Sequence, residues 1–258
     1  MRFPLPSLRA ALVVGALAFA PLAAAQTASP FNEQQRQAIG EIVRDYLLKN
    51  PELLQEVMGE LEKRQAEQQQ VAQASALKEN RQTLLNAPHS IVGGNPQGDV
   101  TLIEFFDYNC GYCKKALADV RALAKADPKL RLVIKDFPVL GPDSVEASQV
   151  SLAVKNQIDG EKLFDYHVRL LESRGRVNGE RALAVAKEMG LDTARIQKDM
   201  QAPEIRAALQ ENVGLGDKLG LTGTPAFIVG DEVISGAVGV EPLKQVVASV
   251  RKCGKATC

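Results

Sequence analysis

Apolar residues recur at helical spacing over the first stretch after residue 30. Ile39, Ile42, Val43 and Tyr46 form one face, widened by Leu47, and Leu53, Leu54, Val57, Met58 and Leu61 form a second. Asn50-Pro51 divides them, since Asn suits a helix cap and Pro a first helical turn. From Glu62 to Gln70 the apolar face vanishes into charge and glutamine with a single alanine. A helix that is polar all round usually bridges between units rather than lying on a core. If residues 62–80 stay helical they extend roughly 28 Å at about 1.5 Å per residue. That predicts an oligomerisation segment, a solvated helical arm, and an apolar stripe that needs a partner chain. The alternative is two amphipathic helices packed on the main body.

The body begins near Ala87-Pro88. "DVTLIEFFDY" is β-branched and aromatic and reads as a buried strand. "CKKALADVRALAKAD" follows with Ala116, Leu117, Val120 and Leu123 on one helical face, and "LRLVIKDF" is a second strand closed by Pro138. Strand, helix, strand predicts a βαβ unit with parallel strands. Residues 142–221 read as helical throughout, with helices over 144–157, 161–172, 180–189, about 193–200, and 203–219. Gly190 and Gly220 stand where C-terminal caps fall, Asn178 and Asp192 where N-caps fall. "AFIVGDEVIS" predicts a hairpin turning at Gly230-Asp231, and "EPLKQVVASVRK" a closing amphipathic helix. The order βαβ, helical block, ββα describes an α/β thioredoxin-like fold with an inserted helical domain.

Composition narrows the setting. The 258 residues carry 31 basic and 31 acidic side chains, so no basic surplus points to nucleic acid. Arg2 and Arg9 precede "ALVVGALAFAPLAAA", which ends on Ala23 and Ala25. A short positive region, an apolar core and an Ala-x-Ala ending predict a cleavable signal peptide over residues 1–25 and a periplasmic location. The other reading, a membrane anchor, meets a run too short for a span of roughly 20 residues and broken by Pro21. An oxidising space favours pairing of the four cysteines, Cys110, Cys113, Cys253 and Cys258.

Cys110 and Cys113 fall where the first strand passes into its helix. The unpaired N–H groups of a helix N-terminus stabilise negative charge on sulfur. Cys113 lies one turn further and deeper, so Cys110 is expected to attack and Cys113 to resolve, with a redox-active disulfide and no other cofactor. Glu104 is the one acid inside the apolar run "TLIEFF", and burial would raise its pKa and suit it to relay the Cys113 proton. Lys135, inside the second strand, is its candidate neighbour. Thr224-Pro225 sits in a loop just before a strand, where a cis proline would offer Thr224 backbone to an extended peptide. His89 and His167 belong to no recognisable motif and read as surface or packing residues. A metal site on Cys110 and Cys113 lacks a second cluster to complete four ligands. Cys253 and Cys258, in "CGKATC", read as a structural disulfide at the C-terminus.

"EFFDYNCGYC", the helical insertion and "GTPAFIVG" resemble the DsbA-like branch of the thioredoxin superfamily over roughly residues 90–252. The N-terminal helices resemble those of ScsC-type members, periplasmic disulfide enzymes that assemble as trimers and are associated with copper tolerance. The resemblance implies a redox centre at Cys110 and Cys113, a cis-Pro225 beside it, and Glu104 in the family's buried-acid position. It implies substrate contacts from Thr224, Pro225, Gly111 and Tyr112. The classical oxidase carries Pro-His between its cysteines; Gly111-Tyr112 here argues against a strong oxidase. The expected organisation is a signal peptide over 1–25, an oligomerisation segment over 26–62, a helical linker over 63–86, and a DsbA-like domain over 87–258 with its insertion at about 142–221. The expected function is an oligomeric disulfide isomerase or reductase, a homotrimer with a homodimer as alternative. Its partners would be exported proteins with thiols or disulfides and a membrane-bound thiol redox protein. The alternative is a copper-binding protein or metallochaperone using the same cysteines.

Overall fold

The computed structural model describes residues 30–258; the signal-peptide reading of residues 1–25 lies outside them. Two compact units divide at Glu60 and Leu61. In the first, Asn32 opens α1 (Glu33–Lys49) with a capping box: its side chain accepts from the Gln35 N–H, and Gln35 accepts from the Asn32 N–H, both at 2.9 Å. Asn50 closes the helix by donating from backbone and side chain to the Tyr46 carbonyl. Pro51 then leads into α2 (Glu52–Glu79). No residue of α1 is buried, and Ile42, Val43, Tyr46, Leu54, Val57 and Met58 are exposed.

The second unit is built on a five-stranded mixed sheet in the order β1-β3-β2-β4-β5. The strands are β1 (Ile91–Gly94), β2 (Val100–Phe106), β3 (Leu130–Asp136), β4 (Ala226–Val229) and β5 (Glu232–Ser235). β2 and β3 run parallel, joined by α4 (Gly111–Ala126), as the βαβ reading requires. β4 lies antiparallel to β2 and turns into β5 through Gly230-Asp231, where Gly230 takes a φ of 65°. The sequence reading missed β1, which pairs antiparallel with β3. Its sequence, Ile-Val-Gly-Gly, is too short and glycine-rich to show a period of two. Gly93 admits the Phe164 ring where a Cβ would stand.

Between β3 and β4 come α5 (Pro142–Val154), α6 (Gly160–Leu171), α7 (Gly179–Glu188), α8 (Thr193–Asp199) and α9 (Pro203–Lys218). Asn178 and Asp192 cap α7 and α8 by accepting from the N–H groups of Arg181 and Arg195. Gly190 and Gly220, with φ of 75° and 66°, reverse the chain just beyond helix ends, a conformation that costs other residues a Cβ clash. The chain closes with α10 (Val240–Cys253). Among the described residues no helix is long and apolar enough to cross a membrane.

Alternation along the central strands separates two cores. Leu102 and Phe106 of β2, Leu132 and Ile134 of β3 and Phe227 of β4 pack with Leu117 and Val120 of α4 and Leu243 and Val247 of α10. On the other face Ile103, Phe105, Val133 and Ile228 pack with Leu215 and Leu219, and with Leu77 and Leu84. Those last two correct the boundary at residue 87. The end of α2 and all of α3 (Arg81–Asn86) are part of the body, not a solvated linker, because Leu77 and Leu84 fill the second core. The Gln73 side chain also donates to the Leu219 carbonyl at 2.8 Å.

Candidate functional site

Cys110 is the residue that caps α4. Its Sγ accepts from the Cys113 N–H at 3.3 Å, taking the place that a serine or aspartate oxygen fills at most helix starts. The same sulfur donates to the Thr224 carbonyl at 3.1 Å, and the Thr224–Pro225 bond is cis. Pro225 is tied onward through its carbonyl, which accepts from the Gly236 N–H at 2.8 Å. Two segments more than a hundred residues apart thus meet at one sulfur. Both cysteines carry free thiols; Cys110 is 6 % exposed and Cys113 wholly buried. Burial pushes the Cys113 thiol far up, and the nearby Glu104 carboxyl adds to the shift.

Glu104 lies on the face of β2 that α4 covers. It is buried, its Oε1 has no hydrogen-bond partner among the described residues, and burial raises its pKa to about 8. Lys135 is not its neighbour. The parallel register sets Ile134 opposite Glu104 and Lys135 beside Phe105, so Lys135 faces the other core. There its Nζ donates to the Thr83 carbonyl at 3.2 Å and to Ser90 Oγ at 3.0 Å, and burial lowers its pKa to about 8.

Between the cysteines, Tyr112 is 68 % exposed and Gly111 has open space where a Cβ would stand. Neither position is packed against the rest of the body. His167 is a packing residue: buried edge-on against Phe106, it meets the Tyr108 hydroxyl through Nδ1 at 3.3 Å, and burial holds its pKa near 3. His89 contacts Asn212 Oδ1 through Nε2 at 3.1 Å, away from the cysteines. Cys253, the last residue of α10, and Cys258 are joined in a disulfide across the turn at Gly254, and Ala256 within that loop donates its N–H to Asp231 Oδ1 at 2.9 Å.

Sequence reasoning missed the polar cluster under the junction. Asp107, fully buried, accepts from the Asn109 N–H and Ser144 Oγ, each at 2.7 Å, and from the Leu140 N–H at 2.9 Å. Asp136, also buried, leaves Oδ1 without a partner, and burial lifts its pKa to about 7. The acid in "FFDYN" was visible as a polar break before the cysteines. Of its partners Asn109 is local, but Leu140 comes from the loop after β3 and Ser144 from the insertion, and no local pattern announces those two.

A strand–helix junction with two thiols, set against a cis-proline loop and interrupted by a helical block, defines a thioredoxin-fold redox domain with an insertion. The chain belongs to the DSBA-like thioredoxin domain family, whose model matches residues 101–248, more than half of its length. A second model, the copper resistance protein ScsC N-terminal domain, matches residues 35–68. A thioredoxin-like oxidoreductase from Silicibacter pomeroyi is 43% identical with a TM-score of 0.64, covering 67% of this chain and 99% of its own. Proteus mirabilis ScsC in a compact conformation is 29% identical with a TM-score of 0.64, covering 85% of this chain and 99% of its own. The chain spans about a quarter of the length of the curated relatives it first matches. Of these, the Na(+)/H(+) antiporter NhaA 1 of Salinispora arenicola is 26% identical over 160 residues, 61% of this chain and 24% of that protein.

Proposed function

We propose that this chain is a thiol–disulfide oxidoreductase acting on exported proteins, an oligomeric isomerase or reductase with Cys110 as nucleophile. The observation that carries the reading is the single sulfur that both caps α4 and meets the Thr224 carbonyl. The helix terminus stabilises negative charge on it, and a peptide bonded to it would run alongside Thr224 backbone. In the reductive direction the Cys110 thiolate attacks one sulfur of a substrate disulfide, forming a mixed disulfide and releasing one substrate thiolate. Cys113 then loses its proton and attacks Cys110 Sγ. That frees the second substrate thiolate and leaves a Cys110–Cys113 disulfide, with two electrons passed to the substrate. A buried thiol needs a proton acceptor, and the ionised fraction of Glu104, on the face of β2 that α4 covers, fills that role through water.

The export reading rests on the N-terminal pattern of residues 1–25, and the membrane-bound redox partner on the family. The oligomer rests on α1 and the start of α2, whose apolar residues stand exposed in one chain, together with the ScsC-type N-terminal match. Exchange is tested with the mature protein by following reduction of insulin disulfides and repair of scrambled ribonuclease. The wild type should turn over in both assays and Cys110→Ser in neither. Turnover that survives Cys110→Ser would remove Cys110 from the reaction.

A further inference from the structure

The connection from β2 to α4 is only four residues, Asp107 to Cys110, yet it is fastened to a part of the chain far away in sequence. Asn109, directly before Cys110, spends its whole carboxamide on the inserted block. Nδ2 donates to the Val177 carbonyl at 2.8 Å and to Ser144 Oγ at 3.0 Å, and Oδ1 accepts from the Val177 N–H at 2.8 Å. Two opposed bonds to one backbone residue fix the side chain in one orientation. Only an amide can give and take this way; an aspartate lacks the donor and an alanine lacks both. Asp107 closes the ring from below, holding the Asn109 N–H and Ser144 Oγ with one carboxylate oxygen. On the other side of Cys110, Lys114 Nζ donates to the Ser173 carbonyl at 2.8 Å. The α6–α7 connection is therefore stitched down on both sides of the sulfur.

We infer that Asn109 is a positioning residue through which the inserted helical block sets the placement of Cys110 against the α4 N-terminus. The inference rests on the proposed reading of Cys110 as the exchanging sulfur. Residue 110 must lie where the Cys113 N–H meets its Sγ at 3.3 Å. That contact stabilises charge on the reduced sulfur and does less for a disulfide, in which the sulfur is neutral. Releasing the clamp should therefore favour the Cys110–Cys113 disulfide over the dithiol.

The test measures the equilibrium constant for exchange with glutathione, alongside urea unfolding of both redox forms. The proteins are the full mature chain, Asn109→Ala, Ser144→Ala and the double variant. Asn109→Ala should move the constant toward the protein disulfide by about threefold to tenfold, as expected for losing hydrogen bonds of ordinary strength. Ser144→Ala, which removes a partner on the insertion without touching either cysteine, should shift it the same way by less. The double variant should shift less than the sum, because the two side chains share one network. If Asn109→Ala does not fold, the shift in Ser144→Ala decides. Unchanged constants together with lowered stability would make Asn109 a structural tie only and overturn the inference. A wild type that exchanges nothing with glutathione would instead overturn the redox reading itself.

Discussion

Glu104 carries the clearest pH signature in the molecule. Burial holds it neutral in the folded chain up to about pH 8, whereas the unfolded chain ionises it near 4.5. Between those values the folded state binds a proton that the unfolded state has lost, so stability falls as pH rises through the window and levels off above it. Glu104→Gln should match the wild type near pH 4.5 and exceed it by about 4 kcal/mol at pH 8.5, measured by urea unfolding. Asp136 contributes a fall of the same sign between 3.8 and about 7, but it is present in both proteins and cancels in the difference. No gain at pH 8.5 would mean that Glu104 is hydrated. Gly111 and Tyr112 offer a second experiment. Gly111 is the first residue of α4, where proline fits, and neither position is packed. Replacing them by Pro and His should leave the fold intact and make the pair more oxidising, by on the order of tenfold in the glutathione equilibrium. At this scale the cysteines and the acid in an apolar strand were legible because each breaks a local pattern. The face that Lys135 takes was not: strand register decides it, and a shift of one residue reverses it.

At the scale of elements, periodicity found the two parallel strands, the hairpin and the helices of the insertion, whose caps Asn178, Asp192, Gly190 and Gly220 announce themselves. It missed β1 and drew the body too short, for a common reason. β1 is four residues held by pairing with β3, and α3 is six residues held by Leu84 in a core that other segments supply. Neither has a period long enough to read alone. Leu84→Ala should accordingly destabilise the body by about 2–5 kcal/mol, the range for emptying a buried leucine site, in chemical unfolding. A surface-linker leucine would cost far less, so a loss under about 0.5 kcal/mol would restore the boundary at residue 87. The Cys253–Cys258 disulfide closes a short loop after α10. Its replacement by two serines should cost about 2 kcal/mol on loop entropy and leave insulin reduction unchanged, as a structural tie would.

At the scale of the whole molecule, the question is what an assembly adds to chemistry that one domain can perform. A single CxxC pair can pass a disulfide to a substrate and leave. Repair of a wrong disulfide asks the enzyme to hold its substrate through several exchanges, which is favoured when several exchanging sulfurs face one bound chain at high effective concentration. The apolar residues of α1 and early α2, from Ile39 to Leu61, are exposed at 42% to 70% where they are large and unburied, more apolar surface than a helical segment keeps in water without a partner. The second unit begins at Leu61 and holds both hydrophobic cores, so a cut there removes the apolar segment and spares the body. Deleting residues 31–61 should yield a monomer by light scattering that still oxidises small thiols through Cys110 and Cys113. The same protein should lose most repair of scrambled ribonuclease, while the full mature chain scatters as a trimer or dimer. A full-length monomer would sink the assembly argument. A truncated monomer that repairs as well as the whole would place isomerase activity in the body alone, and leave the N-terminal helices to another partner.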